Sequence, residues 1–504
     1  MKHHIQTFGQ LKESGYELLP VKEEMRRNLI TKLKNKEPLF PGIIGFEDTV
    51  IPQLVNALLA KHDILLLGLR GQAKTRIARL LIELLDEYTP VVKGTELHDS
   101  PLAPISKFAS DIIAEYGDAT PIEWVHRSER YGEKLATPDV TIADLIGDID
   151  PIKAATQRLH YSHEGAIHFG IIPRTNRGIF VVNELPDLQP RIQVGLFNLL
   201  QERDIQIRGF NVRIPLDICL VFTANPEDYT HRGSIITPLK DRIGSQILTH
   251  YPRSLEDGIH ITSQEAWVKR SESTTIIPHY FRQIIESIAF IARGSEFIDQ
   301  TSGVSARLTI SVMEALISNA ERRSLLIGEK YIAPRMVDLT QSVTGITGKV
   351  ELVFEGEQEG AFKVARALIG KAVREVFSLY FPDPLARSKR AEQKQKNVDV
   401  YQDIIRFFEQ GNSVTINDTM NFDSYFKELN NVPGLQELAV KYIQPDSNNE
   451  YETAVAMEFL LDGLHQNSKI AKDEYAAGST YKDMIGSIFT RPTRTHNDDD
   501  GEGY

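Results

Sequence analysis

The chain has 504 residues, 41% hydrophobic and 25% charged, with a formal net charge of −12 and one cysteine. Length and balance describe an ordinary globular chain of about two to four domains. They exclude an internal disulfide framework and a cysteine-based zinc site, and they argue against a surface that binds nucleic acid throughout. No apolar run approaches the roughly 20 residues that cross a bilayer. The segment Met1-Lys2-His3-His4-Ile5-Gln6 lacks the apolar centre of a secretory signal, and Cys219 lies inside an apolar run as a core residue. A cytoplasmic setting is expected.

In chain order, residues 1–40 read as a helical leader, with a mixed-charge helix over Glu23 to Asn35 that Pro41-Gly42 terminates. From 41 to 252, apolar runs at 63–67, 120–125, 178–182 and 216–223 alternate with helical patterns. Strands separated by helices predict a parallel sheet with crossover helices, an α/β nucleotide-binding domain. Residues 253–384 turn almost wholly helical, in Tyr280 to Ala292, Leu308 to Leu326 and Gly360 to Phe377, with Val350 to Phe354 as a lone strand. Pro382-Asp383-Pro384 breaks this lid-like region. The basic stretch Arg387 to Lys396 reads as a solvated helix face or a linker. Residues 385–490 form a further helical region, and the acidic tail 491–504 is expected to be disordered.

The chemistry begins after the run Asp63 to Leu67. Gly68-Leu69-Arg70-Gly71-Gln72-Ala73-Lys74-Thr75 follows it and leads into the amphipathic stretch Arg76 to Leu81. Strand, glycine-rich turn and helix with Lys-Thr at the junction is the phosphate-loop layout. Loop amides face the anion, Lys74 reaches the β- and γ-phosphates of ATP, and Thr75 offers its hydroxyl to Mg²⁺. Ala73 stands where the pattern has glycine, and its Cβ resists the positive φ of that position. The alternative is a glycine-rich turn without a ligand.

A P-loop enzyme also needs an acid at the end of a second strand. Gly178 to Glu184 supplies four apolar residues and then two polar ones, at the strand end where open α/β sheets put ligands. Asn183 occupies the place of the metal-ordering acid and brings no charge; Glu184 can polarise the attacking water. A helix-capping Asn at a strand end is the alternative. A third strand, Leu216 to Thr223, ends in Ala224-Asn225-Pro226. Asn225 can hold the lytic water, or simply form a turn before proline. His160, His163 and His168 raise a metal reading, His160 and His163 on one helical face; an exposed insert with only Glu164 at ligand spacing argues against it.

These stretches together resemble AAA+ ATPases, in particular the branch of the magnesium-chelatase I subunit and the MoxR-type ATPases, without a von Willebrand A domain. Ile43 to Asp48 resembles the loop that packs on adenine, which assigns Ile44 to the base. Gly68 to Thr75 resembles Walker A, with Arg70-Gly71 as in the chelatase branch. Thr141 to Asp150 and His168 to Gly178 resemble the two sides of the helix-2 insert. Asn183-Glu184 falls on the Walker B pair. Asp204 to Pro215, alternating about Gly209, resembles the hairpin before sensor 1. Ala224-Asn225-Pro226 resembles sensor 1, and Pro238 to Ile243 the segment of the arginine finger. Gly303 to Arg307 resembles the start of the sensor 2 helix.

The resemblance implies a homo-oligomeric ring, a hexamer, that binds ATP and Mg²⁺ between neighbours. In it Gly68 to Thr75 and Arg307 contact nucleotide, Thr75 and Asn183 serve the metal, and Lys74, Glu184, Asn225 and Arg242 carry catalysis. Arg242 would reach into the next subunit's site, with Arg232 as a second candidate. Alternatively Arg242 is a surface ion pair with Asp241 or Glu227. Three uses of such a ring compete. A remodeller or chaperone of a protein client, one with a von Willebrand A domain, is the preferred one. A nucleic-acid motor draws on Arg208 and Arg213. A nucleotide switch with weak hydrolysis draws on Ala73 and Asn183.

Overall fold

The computed structural model describes residues 4–150, 152, 156, 164–207, 213–226, 234–270, 274–385, 400–446, 449–475 and 478–484. Two compact units divide the chain, Met1–Tyr251 and Pro252–Tyr504.

The first unit is built on five parallel strands: β1 (Ile64–Leu67), β2 (Tyr131–Leu135), β3 (Gly178–Asn183), β4 (Ile218–Ala224) and β5 (Ser245–Leu248), in the order β5-β1-β4-β3-β2. The three inner strands are apolar along their length because both faces of the sheet are covered. Their side chains divide by parity between two cores. Ile64, Leu66, Ile179, Val181, Cys219 and Val221 face one layer. After a short first helix, α1 (Phe8–Glu13), the next three supply this layer: Met25 and Leu29 of α2 (Val21–Lys34), Leu54 and Leu58 of α3 (Val50–Leu59) and Ile77 of α4 (Lys74–Leu80) pack there. Leu65, Phe180, Val182, Leu220 and Phe222 face the other layer, against Leu145, Ile172, Ile192, Leu199 and Leu239. The expected fold class, an α/β parallel P-loop core followed by helical regions, is the one adopted. Burial pushes the Cys219 thiol up to about 12, so it stays protonated as a core residue.

The edge strands carry polar residues and are the ones periodicity does not find: β2 is Tyr-Gly-Glu-Lys-Leu and β5 is Ser-Gln-Ile-Leu. The run 120–125 does not join the sheet. Ile122–His126 pairs antiparallel with Tyr88–Val92 in a separate ribbon, as befits a strand that buries only Ile122 and Val125 fully. The leader packs on the sheet through α2. A fully buried ion pair, Arg130 with Glu24 (2.7 and 2.8 Å), locks it there. Backbone N–H of Val21 donates to the Asp217 carboxylate at 2.7 Å.

The second unit has one continuous core, from Ala266 to Tyr481. Its long helices are His279–Ala292, Arg307–Ile327, Ala361–Tyr380 and Glu450–Gln466. A three-stranded antiparallel sheet, Val414–Asn417, Gly478–Lys482 and Ala471–Tyr475 in that spatial order, interrupts the helical pattern expected after 385. The strand expected at Val350 to Phe354 is a single bridge, Leu352 to Ile298. Phe354 instead opens the helix Phe354–Glu359, whose first turn holds Glu355 and Glu357, charges that suit a helix N-terminus. Among the described residues, no helix is long and apolar enough to cross a membrane.

Candidate functional site

The phosphate loop leaves β1 as an extension of the sheet, with Gly68 N–H donating to the Ala224 carbonyl at 3.1 Å. Gly68 leaves room that its neighbours fill. A Cβ there would lie 2.0 Å from Thr249 Oγ1 and 2.3 Å from Gln72 Oε1, two atoms joined by a 2.8 Å hydrogen bond. Gly71 takes a φ of +74°. Ala73 takes the left-handed conformation, φ +56° and ψ +13°, immediately before α4. The loop therefore keeps the backbone path expected of glycine at position 73, at a cost of about 1 kcal/mol for the methyl group.

Lys74 opens α4 and is buried at 7% exposure. Its Nζ donates to the carbonyls of Gly68 and Leu69 and to Asn225 Oδ1, the last at 2.7 Å. Asn225 Nδ2 donates in turn to Glu184 Oε2 at 3.0 Å. A continuous chain of hydrogen bonds thus runs Lys74–Asn225–Glu184 across the C-terminal ends of β1, β4 and β3. The sheet register brings the three strand ends side by side: Leu67 lies opposite Ala224, and Phe222 opposite Val182. Glu184 is itself left-handed, φ +54° and ψ +51°, an uncommon state for a side-chain-bearing residue and one that collects at functional sites. Its N–H is held by Thr223 Oγ1 at 3.1 Å. The same hydroxyl donates to Asn183 Oδ1 at 3.3 Å.

Thr75, half-buried, is the next residue of the helix. Thr75 hydroxyl, Asn183 amide and Glu184 carboxylate are oxygen donors of the kind a hard cation takes. With one charge among them, they would hold a magnesium ion less firmly than a set with two carboxylates. Among the described residues no three His, Cys, Asp or Glu side chains cluster as a metal site. His160 and His163 lie outside the described residues, as do Arg208, Glu227 and Arg232.

The loop expected to face adenine sits beside the phosphate loop through contacts the sequence did not announce. Ile44 is half-buried next to core residue Ile43. Phe46 packs edge-to-face on His250, with centroids 4.9 Å apart, and His250 Nε2 bonds Thr49 Oγ1 at 2.8 Å. The neighbouring Tyr251 hydroxyl donates to the Arg70 carbonyl at 2.9 Å. Thr249, His250 and Tyr251, directly after edge strand β5, are therefore site-building residues that carried no motif.

Of the remaining predicted residues, Arg242 takes no part in the hydrogen bonds of the Lys74–Asn225–Glu184 chain, and Arg307 belongs to the second unit. Arg242 ends the helix Thr237–Arg242. There it bonds Gln201 Oε1 (3.1 Å) and the Pro238 carbonyl (2.7 Å), with its guanidinium 4.9 Å from the centre of the Phe197 ring. Arg307 begins the helix Arg307–Ile327 of the second unit with its side chain exposed. A cavity of about 690 Å³ lies elsewhere again, at the N-terminal edge of the strands among Pro20, Lys22, Arg203, Leu216 and Ile218. The hairpin forms as expected, Asp204–Gln206 against Arg213–Pro215, with its tip outside the described residues.

A parallel sheet whose first strand runs through a glycine loop onto a Lys-Thr helix, opposite a strand-end glutamate, defines a P-loop α/β protein. No family profile matches the chain, and no curated protein matches it. Solved structures do. The complex of the BchI and BchD subunits of magnesium chelatase matches at 18% identity, covering 64% of this chain and 99% of that one, TM-score 0.33. NtrX from Brucella abortus matches at 13% identity over 57% of this chain, TM-score 0.33, and the match spans only 54% of NtrX. A variant of RuvB from Thermotoga maritima matches at 12% identity, covering 60% and 70% of the two chains, TM-score 0.33.

Proposed function

We propose that the chain is an ATP-hydrolysing AAA+ ring ATPase, chelatase- or MoxR-like, that remodels a protein client in the cytoplasm. The observation that carries the reading is the Lys74–Asn225–Glu184 chain. It joins a phosphate-binding cation, a water-orienting amide and a carboxylate base at one edge of the sheet. In this reading residues 41–252 bind nucleotide and 253–384 act as the lid.

On binding, phosphate oxygens replace the loop carbonyls and Asn225 as partners of the Lys74 ammonium, and the loop amides take the rest of the charge. Released from Lys74, Asn225 Oδ1 is free to accept from a water lying between it and Glu184. Glu184 takes the proton of that water as its oxygen bonds the γ-phosphorus and the bond to ADP breaks. Magnesium, held through Thr75 and Asn183, would neutralise phosphate charge. Ile44 lies against the base. Arg242, seated at a helix end and taking no part in its own Lys74 chain, serves the neighbouring copy of a hexamer. An arginine supplied in trans is worth about 10³–10⁵ in rate. Arg307 reports nucleotide state to the lid. The protein-client use is preferred over the nucleic-acid one because Arg213, at the base of the hairpin, is already balanced by Asp204 at 3.4 Å.

The test is Glu184→Gln in the full chain. ATP should bind with wild-type affinity while turnover falls at least about a hundredfold. Undiminished turnover removes Glu184 from the role, and absence of adenine-nucleotide binding by the wild type removes the reading.

A further inference from the structure

Asn183 ends β3 beside the carboxylate of Glu184, and it is 9% exposed. Its Oδ1 accepts from the Thr223 hydroxyl, which also receives the Glu184 N–H. One hydroxyl thereby ties the Asn183 side chain to the backbone that holds Glu184 in its left-handed conformation. An aspartate would fit the same space and accept the same hydrogen bond. What the asparagine changes is charge: of the two polar residues at this strand end, only Glu184 carries one.

Two consequences follow for a site that receives a polyphosphate. A second carboxylate would repel the phosphates when no metal is present, and it would order the water shell of magnesium when one is; an amide does the first not at all and the second weakly. We propose, resting on the ATPase reading above, that Asn183 makes this a nucleotide-retaining site. ATP binds with little dependence on magnesium and is hydrolysed slowly, and Asn183 is the positioning residue that sets both. The chain then spends most of its cycle loaded with ATP, as a timer does.

The experiment uses the full-length protein, wild type and Asn183→Asp. Equilibrium affinity for a fluorescent N-methylanthraniloyl-ATP is measured in magnesium and in EDTA, and single-turnover hydrolysis is followed with ATP in magnesium. The wild type should bind within about threefold under the two conditions. Asn183→Asp should weaken binding in EDTA and widen the magnesium dependence by about 10–100-fold, with a rise in hydrolysis of similar size. A wild type whose affinity already depends on magnesium tenfold or more (about 1.4 kcal/mol) overturns the proposal, and this measurement stands even if the variant does not fold. A folded Asn183→Asp with both quantities unchanged also overturns it. If neither protein binds the nucleotide under either condition, the ATPase reading itself fails, a distinct outcome.

Discussion

Gly68→Ala tests whether the phosphate loop is held as described. The φ of Gly68 is not positive, so alanine is conformationally allowed and the penalty is steric. The new methyl group would sit 2.0 Å from Thr249 Oγ1 and 2.3 Å from Gln72 Oε1. Both must move, which breaks their 2.8 Å hydrogen bond inside a buried site. Overpacking costs about 1–3 kcal/mol and a lost buried hydrogen bond about 1 kcal/mol, giving about 2–4 kcal/mol in all. Thr249→Ala in the same chain removes the nearer obstruction, and Gln72 Oε1, the end of a flexible side chain, can swing away. The double variant should recover about 1–2 kcal/mol of coupling. The chain supplies its own probe, since Trp124 lies in the first unit and Trp267 in the second. In a Trp267→Phe background, urea unfolding followed by Trp124 fluorescence reports the first unit alone. Gly68→Ala within about 0.5 kcal/mol of the parent, or a loss that Thr249→Ala does not relieve, refutes the packing described for the loop.

Removing one partner of the Glu24–Arg130 pair, by Arg130→Met, should cost about 3–5 kcal/mol by the same Trp124 readout; a loss under 1 kcal/mol (about fivefold in the equilibrium) would show the pair to be dispensable. Glu458 is fully buried, with Oε2 accepting from Tyr425 Oη and Met336 N–H while Oε1 has no hydrogen-bond partner, and burial raises its pKa. A raised carboxyl binds its proton more tightly folded than unfolded, so its contribution is greatest in acid and is lost as pH climbs above the unfolded value of about 4.3. Glu458→Gln should therefore gain stability relative to wild type as pH rises from 5 to 8, read as the difference in Tm; a pH-independent difference contradicts this. If Arg242 acts across a subunit boundary, mixing Lys74→Ala with Arg242→Ala, each inactive alone, should restore about a quarter of the wild-type rate, the fraction of interfaces with both residues intact. No recovery on mixing, with assembly intact, assigns Arg242 to its own site or to none.

The parts of the fold legible in the sequence are those where one physical demand dominates. β1, β3 and β4 are covered on both faces, so apolar runs reveal them to within two residues of their ends. β2 and β5 sit at the sheet edges, and Glu133 of β2 spends its side chain on Arg79 and Tyr131. A strand of that composition has no periodic signature against a loop. The antiparallel sheet of the second unit was hidden for a related reason: Ala471–Tyr475 runs Ala-Lys-Asp-Glu-Tyr, and the buried ammonium of its Lys472 is neutralised by Asp462, on the helix Glu450–Gln466, at 2.7 Å and by Glu474 at 3.5 Å. A charge that folding neutralises is indistinguishable, in one dimension, from a charge left in water.

The site divides along the same line. That Lys74, Glu184 and Asn225 come together was legible because the C-terminal ends of neighbouring parallel strands and the loop after the first of them converge at one edge of the sheet. Thr249 and Tyr251 were not, because they act by filling space and closing hydrogen bonds around the loop, Thr249 on Gln72 and Tyr251 on the Arg70 carbonyl. The two departures from the expected motif have different physical weight. Ala73 leaves the backbone path unchanged, since φ +56° is reached with the methyl group present; its cost falls on stability, and Ala73→Gly should leave nucleotide affinity within about threefold. Asn183 leaves both the path and the hydrogen bond to Thr223 unchanged and removes only a charge. On the ATPase reading its cost falls where charge matters, on metal and phosphate, so this chain should be ordinary in how it holds its loop and unusual in how little its nucleotide affinity depends on magnesium.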